Sequence, residues 1–119
     1  MPNGSKYVGE MRNTSFHGHG VLTMENGISY TGDFFKGKKH GQGKETFKDG
    51  TRFEGRYFGD LQHGQGTLFM NDKTTITGHF CQGKMNGVFI KRDSKGVEYE
   101  REYLNGKSVA KTWTKVKRK

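Results

Sequence analysis

A 23-residue period constrains this chain more than any other feature. The position that opens each unit holds Tyr7, Tyr30, Phe53, Ile76 and Tyr99. Two places later come Gly9, Gly32, Gly55 and Gly78. Further glycine columns run Gly18, Gly41, Gly64, Gly87, then Gly20, Gly43, Gly66, and Gly4, Gly27, Gly50, Gly96. Histidine precedes the second column at His17, His40 and His63. No gap is needed to keep this register. A fixed period of this length is the mark of a solenoid or array.

The units run about 7–29, 30–52, 53–75 and 76–98, and a degenerate fifth starts at Tyr99, giving an array over residues 1–106. In the fourth unit Asn86 replaces histidine and Phe89 replaces glycine; in the fifth, Arg101 and Ala110 replace glycines. Such decay fits a capping end. Residues 107–119 form a basic C-terminal tail or cap, in which Val109 and Trp113 could cover the end of the array. A short helix from Ser108 is one form for it; its threonines and valines favour a strand or irregular cap.

Within a unit, Tyr30, Gly32 and Phe34 alternate with Thr31, Asp33 and Phe35, the pattern of a strand with two different faces. A turn over Lys36 to His40 follows, then a second strand from Gly41 to Phe47. Asp49-Gly50 closes the unit as a tight hairpin connection. The fold class is therefore all-β: a single elongated, twisted antiparallel sheet of tandem β-hairpins, solenoid-like. The aromatic columns (Tyr7, Tyr30, Phe53, Tyr99 and Met11, Phe34, Tyr57, Phe80, Tyr103) are expected to lay rings over glycine backbone and fix the register. Met24, Phe47 and Met70 add apolar filling. Only 29% of residues are hydrophobic, so stability must come from unit packing on unit rather than from a thick core.

The single cysteine, Cys81, allows no internal disulfide and points to a reducing compartment, the cytosol or nucleus. No apolar run approaches a membrane span, and no signal-peptide pattern opens the chain. Residues 107–119 carry six cations and no acid, which is six of the nine net positive charges. An anionic partner should therefore prefer that end.

The tandem motif Tyr30-x-Gly32-Asp33-Phe34-x-x-Gly37-x-x-His40-Gly41-x-Gly43, closed by Asp49-Gly50, resembles the MORN-repeat family over residues 4–106. The resemblance implies a curved hairpin sheet that binds or scaffolds. Arrays of this family occur alone or joined to catalytic domains, as in some lipid kinases and a histone methyltransferase. They also occur in junction, flagellar and cortical cytoskeleton proteins. The resemblance gives the fold and only a class of function.

The histidine column does not suit a metal. Equivalent residues of successive hairpins lie about 9–10 Å apart, whereas zinc ligands sit about 2 Å from one point. Each imidazole is expected to bond turn backbone and pack beside glycine. The acids Glu10, Asp33, Glu54, Glu98, Glu100 and Glu102 read as a solvated polar face, with no nucleophile–base–orienter set around them. The Gly-x-Gly elements sit between strands, unlike a phosphate loop that opens a helix. No catalytic residue, metal or cofactor is assigned, and the reading is non-enzymatic.

Two surfaces remain as candidates. Phe35, Phe58, Cys81 and Leu104 occupy one column pointing away from the inner rings, and Val21, Phe69 and Ile90 share that outward parity. Together they form an expected apolar stripe for a protein partner, a helix or another copy of the sheet. Lys111, Trp113, Lys115, Lys117, Arg118 and Lys119 form the second, suited to an acidic protein surface or anionic lipid. Nucleic acid ranks last, since Trp113 alone offers a stacking ring there. The two open ends of the sheet would favour self-association through edges. The resulting expectation is a cytoplasmic scaffold or adaptor near the cytoskeleton, an axoneme or a membrane. The alternatives are a peripheral membrane module and the regulatory portion of a larger enzyme.

Overall fold

The same two-residue turn recurs five times, at 13–14, 36–37, 59–60, 82–83 and 105–106, always with both residues at positive φ. That geometry is the type I′ turn, whose twist matches paired strands. In the computed structural model, which describes residues 4–117, it joins the two strands of every hairpin. The strands are β1 (Lys6–Arg12), β2 (Ser15–Thr23), β3 (Ser29–Phe35), β4 (Lys38–Thr46), β5 (Arg52–Phe58) and β6 (Leu61–Phe69). They continue with β7 (Thr75–Cys81), β8 (Lys84–Met85), β9 (Gly87–Arg92), β10 (Glu98–Leu104), β11 (Lys107–Ser108) and β12 (Thr114–Lys115). All belong to one antiparallel sheet in hairpin order, measuring 54 × 24 × 24 Å. No helix forms over the described residues.

The turn expected over Lys36 to His40 is therefore only Lys36-Gly37, and the next strand begins at Lys38. The alternation misled because a bulge interrupts it. Gly32 pairs Gly43 and Phe34 pairs Lys39, so Asp33 faces the three residues His40-Gly41-Gln42. Gly9 to Met11 and Gly55 to Tyr57 show the same shift. The bulge needs a left-handed residue, and Gly41 supplies it at φ +90. Asp49-Gly50 is likewise not a two-residue turn. The Gly50 N–H donates to the Phe47 carbonyl at 3.0 Å, and the Thr51 N–H to the Asp49 carboxylate at 3.0 Å.

The core lies on one face. Tyr30, Phe53 and Phe89 are fully buried although the sheet is a single layer. Each ring lies flat over a neighbouring glycine: a Cβ on Gly43 would fall within the Tyr30 ring, and one on Gly66 within the Phe53 ring. The glycines pair across each junction between the first four units, as Gly20–Gly32, Gly43–Gly55 and Gly66–Gly78. In the fourth unit the two roles are exchanged. Ile76 stands in the ring column, and Phe89, in a glycine column, covers Gly78. Edge-to-face contacts then run unbroken through Phe34–Tyr30 (5.0 Å), Tyr30–Tyr57 (5.1 Å), Tyr57–Phe53 (5.6 Å), Phe53–Phe80 (5.1 Å), Phe80–Phe89 (5.3 Å) and Phe89–Tyr103 (5.4 Å). Such pairs contribute about 0.5–1.5 kcal/mol each beyond area burial. Met11, expected in the inner aromatic column, and Met70, expected as apolar filling, are 53% and 38% exposed.

The C-terminal edge is closed by the chain itself. Both β11 and β12 pair with β10, at Tyr103–Ser108 and Tyr99–Lys115. Arg101, which stands in a glycine column, spans the gap between them. Its guanidinium donates to the Ala110 carbonyl (2.8 Å), the Lys111 carbonyl (2.9 Å) and Ser108 Oγ (2.9 Å). Two open ends were expected; at the C-terminal end the last long strand, β10, has neighbours on both sides and only the two-residue β11 and β12 present an edge, whereas the seven-residue β1 has β2 as its one neighbour among the described residues.

Candidate functional site

The I′ turns follow the last residues of β1, β3, β5, β7 and β10, which lie on the face opposite the core. Adjacent turns are then stapled by a bond that repeats every 23 residues. The N–H groups of Gly37, Asp60, Gly83 and Gly106 donate to the carbonyls of Phe16, Lys39, Gln62 and Met85 at 2.7–2.9 Å. The edge so formed is a fixed comb. Phe35 and Phe58 stand on it 45% and 65% exposed, with Leu61 and Leu104 beside the same turns and also exposed. Cys81 is exposed as a free thiol.

The histidines sit between these rings. Centroid distances along the row are His17–Phe35 5.4 Å, Phe35–His40 5.5 Å, His40–Phe58 5.0 Å, Phe58–His63 6.2 Å and His63–His79 6.5 Å. Each of His17, His40 and His63 opens a bulge, and His63 Nδ1 accepts the Gln82 N–H of the next turn at 3.1 Å. Asn86, standing in the histidine column, accepts the Asn105 N–H through its side chain at 3.3 Å. His63 thus supports the comb, and the three imidazoles fill the gaps beside its phenyl rings. Among the described residues, no three His, Cys, Asp or Glu side chains converge as a metal set.

Phe69 and Ile90 do not join this row, and neither does Val21. Phe58 pairs Leu61 at one end of the β5–β6 hairpin and Phe69 pairs Arg52 at the other. Six residues separate the two ends, about 20 Å of strand. Phe69 is half-buried under the Arg52 guanidinium, 4.2 Å from its ring. Ile90 pairs Thr77 and Glu100 in mid-strand and is half-buried. Outward parity alone did not reveal position along the strand.

The acids also have work beyond solvation. Glu10 Oε1 accepts the His19 N–H at 3.0 Å, and Asp33 Oδ2 accepts the Gln42 N–H at 3.3 Å, each satisfying a bulge. In the connecting loops, hydrogen bonds from Thr51 and Thr74 hold the Asp49 and Asp72 carboxyls below the usual carboxylate range.

Sequence reasoning missed one cluster on the core face. Lys39 and Glu45 form an ion pair at 3.3 Å with both side chains 12% exposed. The Tyr57 hydroxyl donates to Glu45 at 2.6 Å, and the Lys39 ammonium lies 5.2 Å from the Tyr30 ring. Burial first, then the Glu45 hydrogen bond, pushes the Tyr57 phenol far up; burial and the nearby Asp33 carboxylate do so for Tyr30. Both phenols therefore act as donors. The signal was available: one unit earlier these columns hold Phe16, Leu22 and Phe34, so opposite charges enter two apolar columns together with a hydroxyl.

At the C-terminal end, Lys111, Lys115 and Lys117 are exposed, while Trp113 is half-buried 6.1 Å from Tyr103. Lys91 Nζ sits 5.0 Å from the Trp113 ring and 5.1 Å from Tyr99. The indole is thus a cap element already engaged on one side. A groove of about 730 Å³ opens here between Met70, Ile76, Lys91, Tyr99 and Trp113. Arg118 and Lys119 lie outside the described residues.

The MORN-repeat family model matches the chain three times in tandem, at residues 7–29, 30–52 and 53–75. A comparison with curated proteins found no match.

Proposed function

The chain belongs to the MORN-repeat family, whose repeats are commonly protein- or membrane-binding, and from this we propose that it is a non-enzymatic adaptor binding a protein helix along its turn edge. The observation that carries this reading is the row His17, Phe35, His40, Phe58, His63 on a stapled edge, with Phe35, Phe58 and His63 exposed and His17 and His40 half-buried between the rings. Hairpins repeat across the sheet at about 9.5 Å, two strand spacings. Seven residues of an α-helix rise about 10.5 Å. A helix laid across the comb therefore meets Phe35, Phe58, Cys81 and Leu104 with one apolar residue per heptad. Lys36, Lys38 and Lys84 are exposed on the same edge, which favours acidic residues flanking that seam. Because the row is rigid before binding, little ordering cost opposes docking. Cytosol, near cytoskeleton or membrane, is the setting that this role suits.

The test is affinity capture from cytosol with the wild type and a Phe35→Ser, Phe58→Ser variant. Both rings lie outside the core, so the variant keeps its fold. Loss of a stoichiometric partner from the variant supports the turn edge as the site; undiminished capture sinks it. The exposed Lys111, Lys115 and Lys117 support a second reading, attachment to anionic lipid. Substituting those three by Ser, rather than deleting the segment, tests it on acidic vesicles without stripping the cap.

A further inference from the structure

The open N-terminal edge differs from the closed C-terminal one, and the difference selects a partner. β1 is seven residues long and contains no proline. Val8 and Met11 on it are 73% and 53% exposed. Met11 belongs to the column of Phe34, Tyr57 and Phe80, all buried wherever a strand lies on both sides. Every junction from β1 to β7 sets glycine against glycine, the row running Gly9, Gly20, Gly32, Gly43, Gly55, Gly66, Gly78. A strand that continues this row beyond β1 presents a glycine opposite Gly9, with an apolar residue two places to either side.

We propose that this strand is β1 of a second copy, paired antiparallel about a two-fold axis through Gly9. The pairing sets Gly9 against Gly9, Tyr7 against Met11 and Val8 against Glu10 across the axis. Tyr7 and Met11 lie on the core face, so each half-covered Tyr7 gains the thioether of the other copy and the aromatic face continues through the junction. On the opposite face Lys6 meets Arg12, with Glu10 of the other copy diagonal to Lys6. Two cations facing each other at each end make the association stronger at higher salt. The assembly stops at two copies, because Arg101, β11 and β12 occupy the other edge. A closed dimer, rather than a filament, follows from that asymmetry.

Sedimentation equilibrium of the full chain tests this. The wild type is expected at twice 13.5 kDa, and a Val8→Lys, Met11→Lys variant at 13.5 kDa. The Phe35→Ser, Phe58→Ser variant is expected to stay dimeric, which separates this edge from the turn-edge face. A monomeric wild type at its solubility limit, an edge variant that remains dimeric, or species larger than two copies would each overturn the proposal. A second readout does not depend on those lysines. Val8→Cys in a Cys81→Ser background carries one spin label per copy, on diagonal neighbours with Cα atoms about 7–8 Å apart. Strong dipolar broadening is expected, and a sharp spectrum from the dimer refutes this register.

Discussion

At the scale of single residues, glycine and ring act as one unit. Gly43 has ordinary strand geometry, so its need for glycine is steric: a Cβ there enters the Tyr30 ring. Gly37 is the contrasting case, with open space around it but a left-handed φ of +84. Gly37→Ala should therefore cost only the conformational penalty, about 1–2 kcal/mol. Gly43→Ala adds overpacking of about 1–3 kcal/mol or more and displaces a fully buried ring. The fourth unit shows how this conflict is resolved, since Phe89 and Ile76 exchange the two roles. Gly43→Phe with Tyr30→Ile copies that exchange. In urea unfolding, the double variant should be more stable than the sum of the two single changes implies, by a coupling of about 0.5–3 kcal/mol. Strict additivity would show that ring and glycine do not act as a pair.

At the scale of the hairpin, strand, turn edge and face were legible because alternation and period sufficed for them. Bulges were not. Nothing in His40-Gly41-Gln42 announces that all three oppose Asp33, and the polar run Lys38 to His40 reads as loop for that reason. Phe69 was misplaced by the same blindness, since parity gives the face and not the distance along the strand. The Lys39–Glu45–Tyr57 cluster was legible only by comparing columns, where one unit earlier Phe16, Leu22 and Phe34 fill the equivalent sites. That comparison gives a prediction. Glu45→Leu alone strands the Lys39 ammonium in the ring layer and should cost about 3–5 kcal/mol. Lys39→Phe, Glu45→Leu and Tyr57→Phe together install the first unit's apolar set. The triple variant should be near wild type or more stable by about 1–4 kcal/mol, read as a shift in urea midpoint. A triple variant as unstable as Glu45→Leu would mean that the second hairpin cannot accommodate the first one's packing.

At the scale of the whole molecule, the sheet is a one-dimensional array whose two ends are unlike. In such an array each unit is stabilised by its neighbours alone, so damage at one end should stay there. Arg101 is the residue that makes the C-terminal end different: it occupies a glycine column and ties three acceptors of the segment from Ser108 to Lys111 to β10. Arg101→Gly restores the repeat pattern locally and removes that tie, leaving β11 and β12 on backbone pairing and the Trp113 contacts with Tyr103 and Lys91. Charged hydrogen bonds contribute about 1.5–3 kcal/mol each, and about 1.4 kcal/mol is tenfold in an opening equilibrium. The Val109 and Val116 amides, bonded to the Glu102 and Glu98 carbonyls at 2.7 and 2.9 Å, should then lose at least about tenfold in hydrogen-exchange protection. Amides of β3 to β6 should keep theirs. Uniform loss along the chain would show that the ends are coupled globally. Loss confined to residues 107–117 would show that Arg101 closes one edge independently of the array it caps.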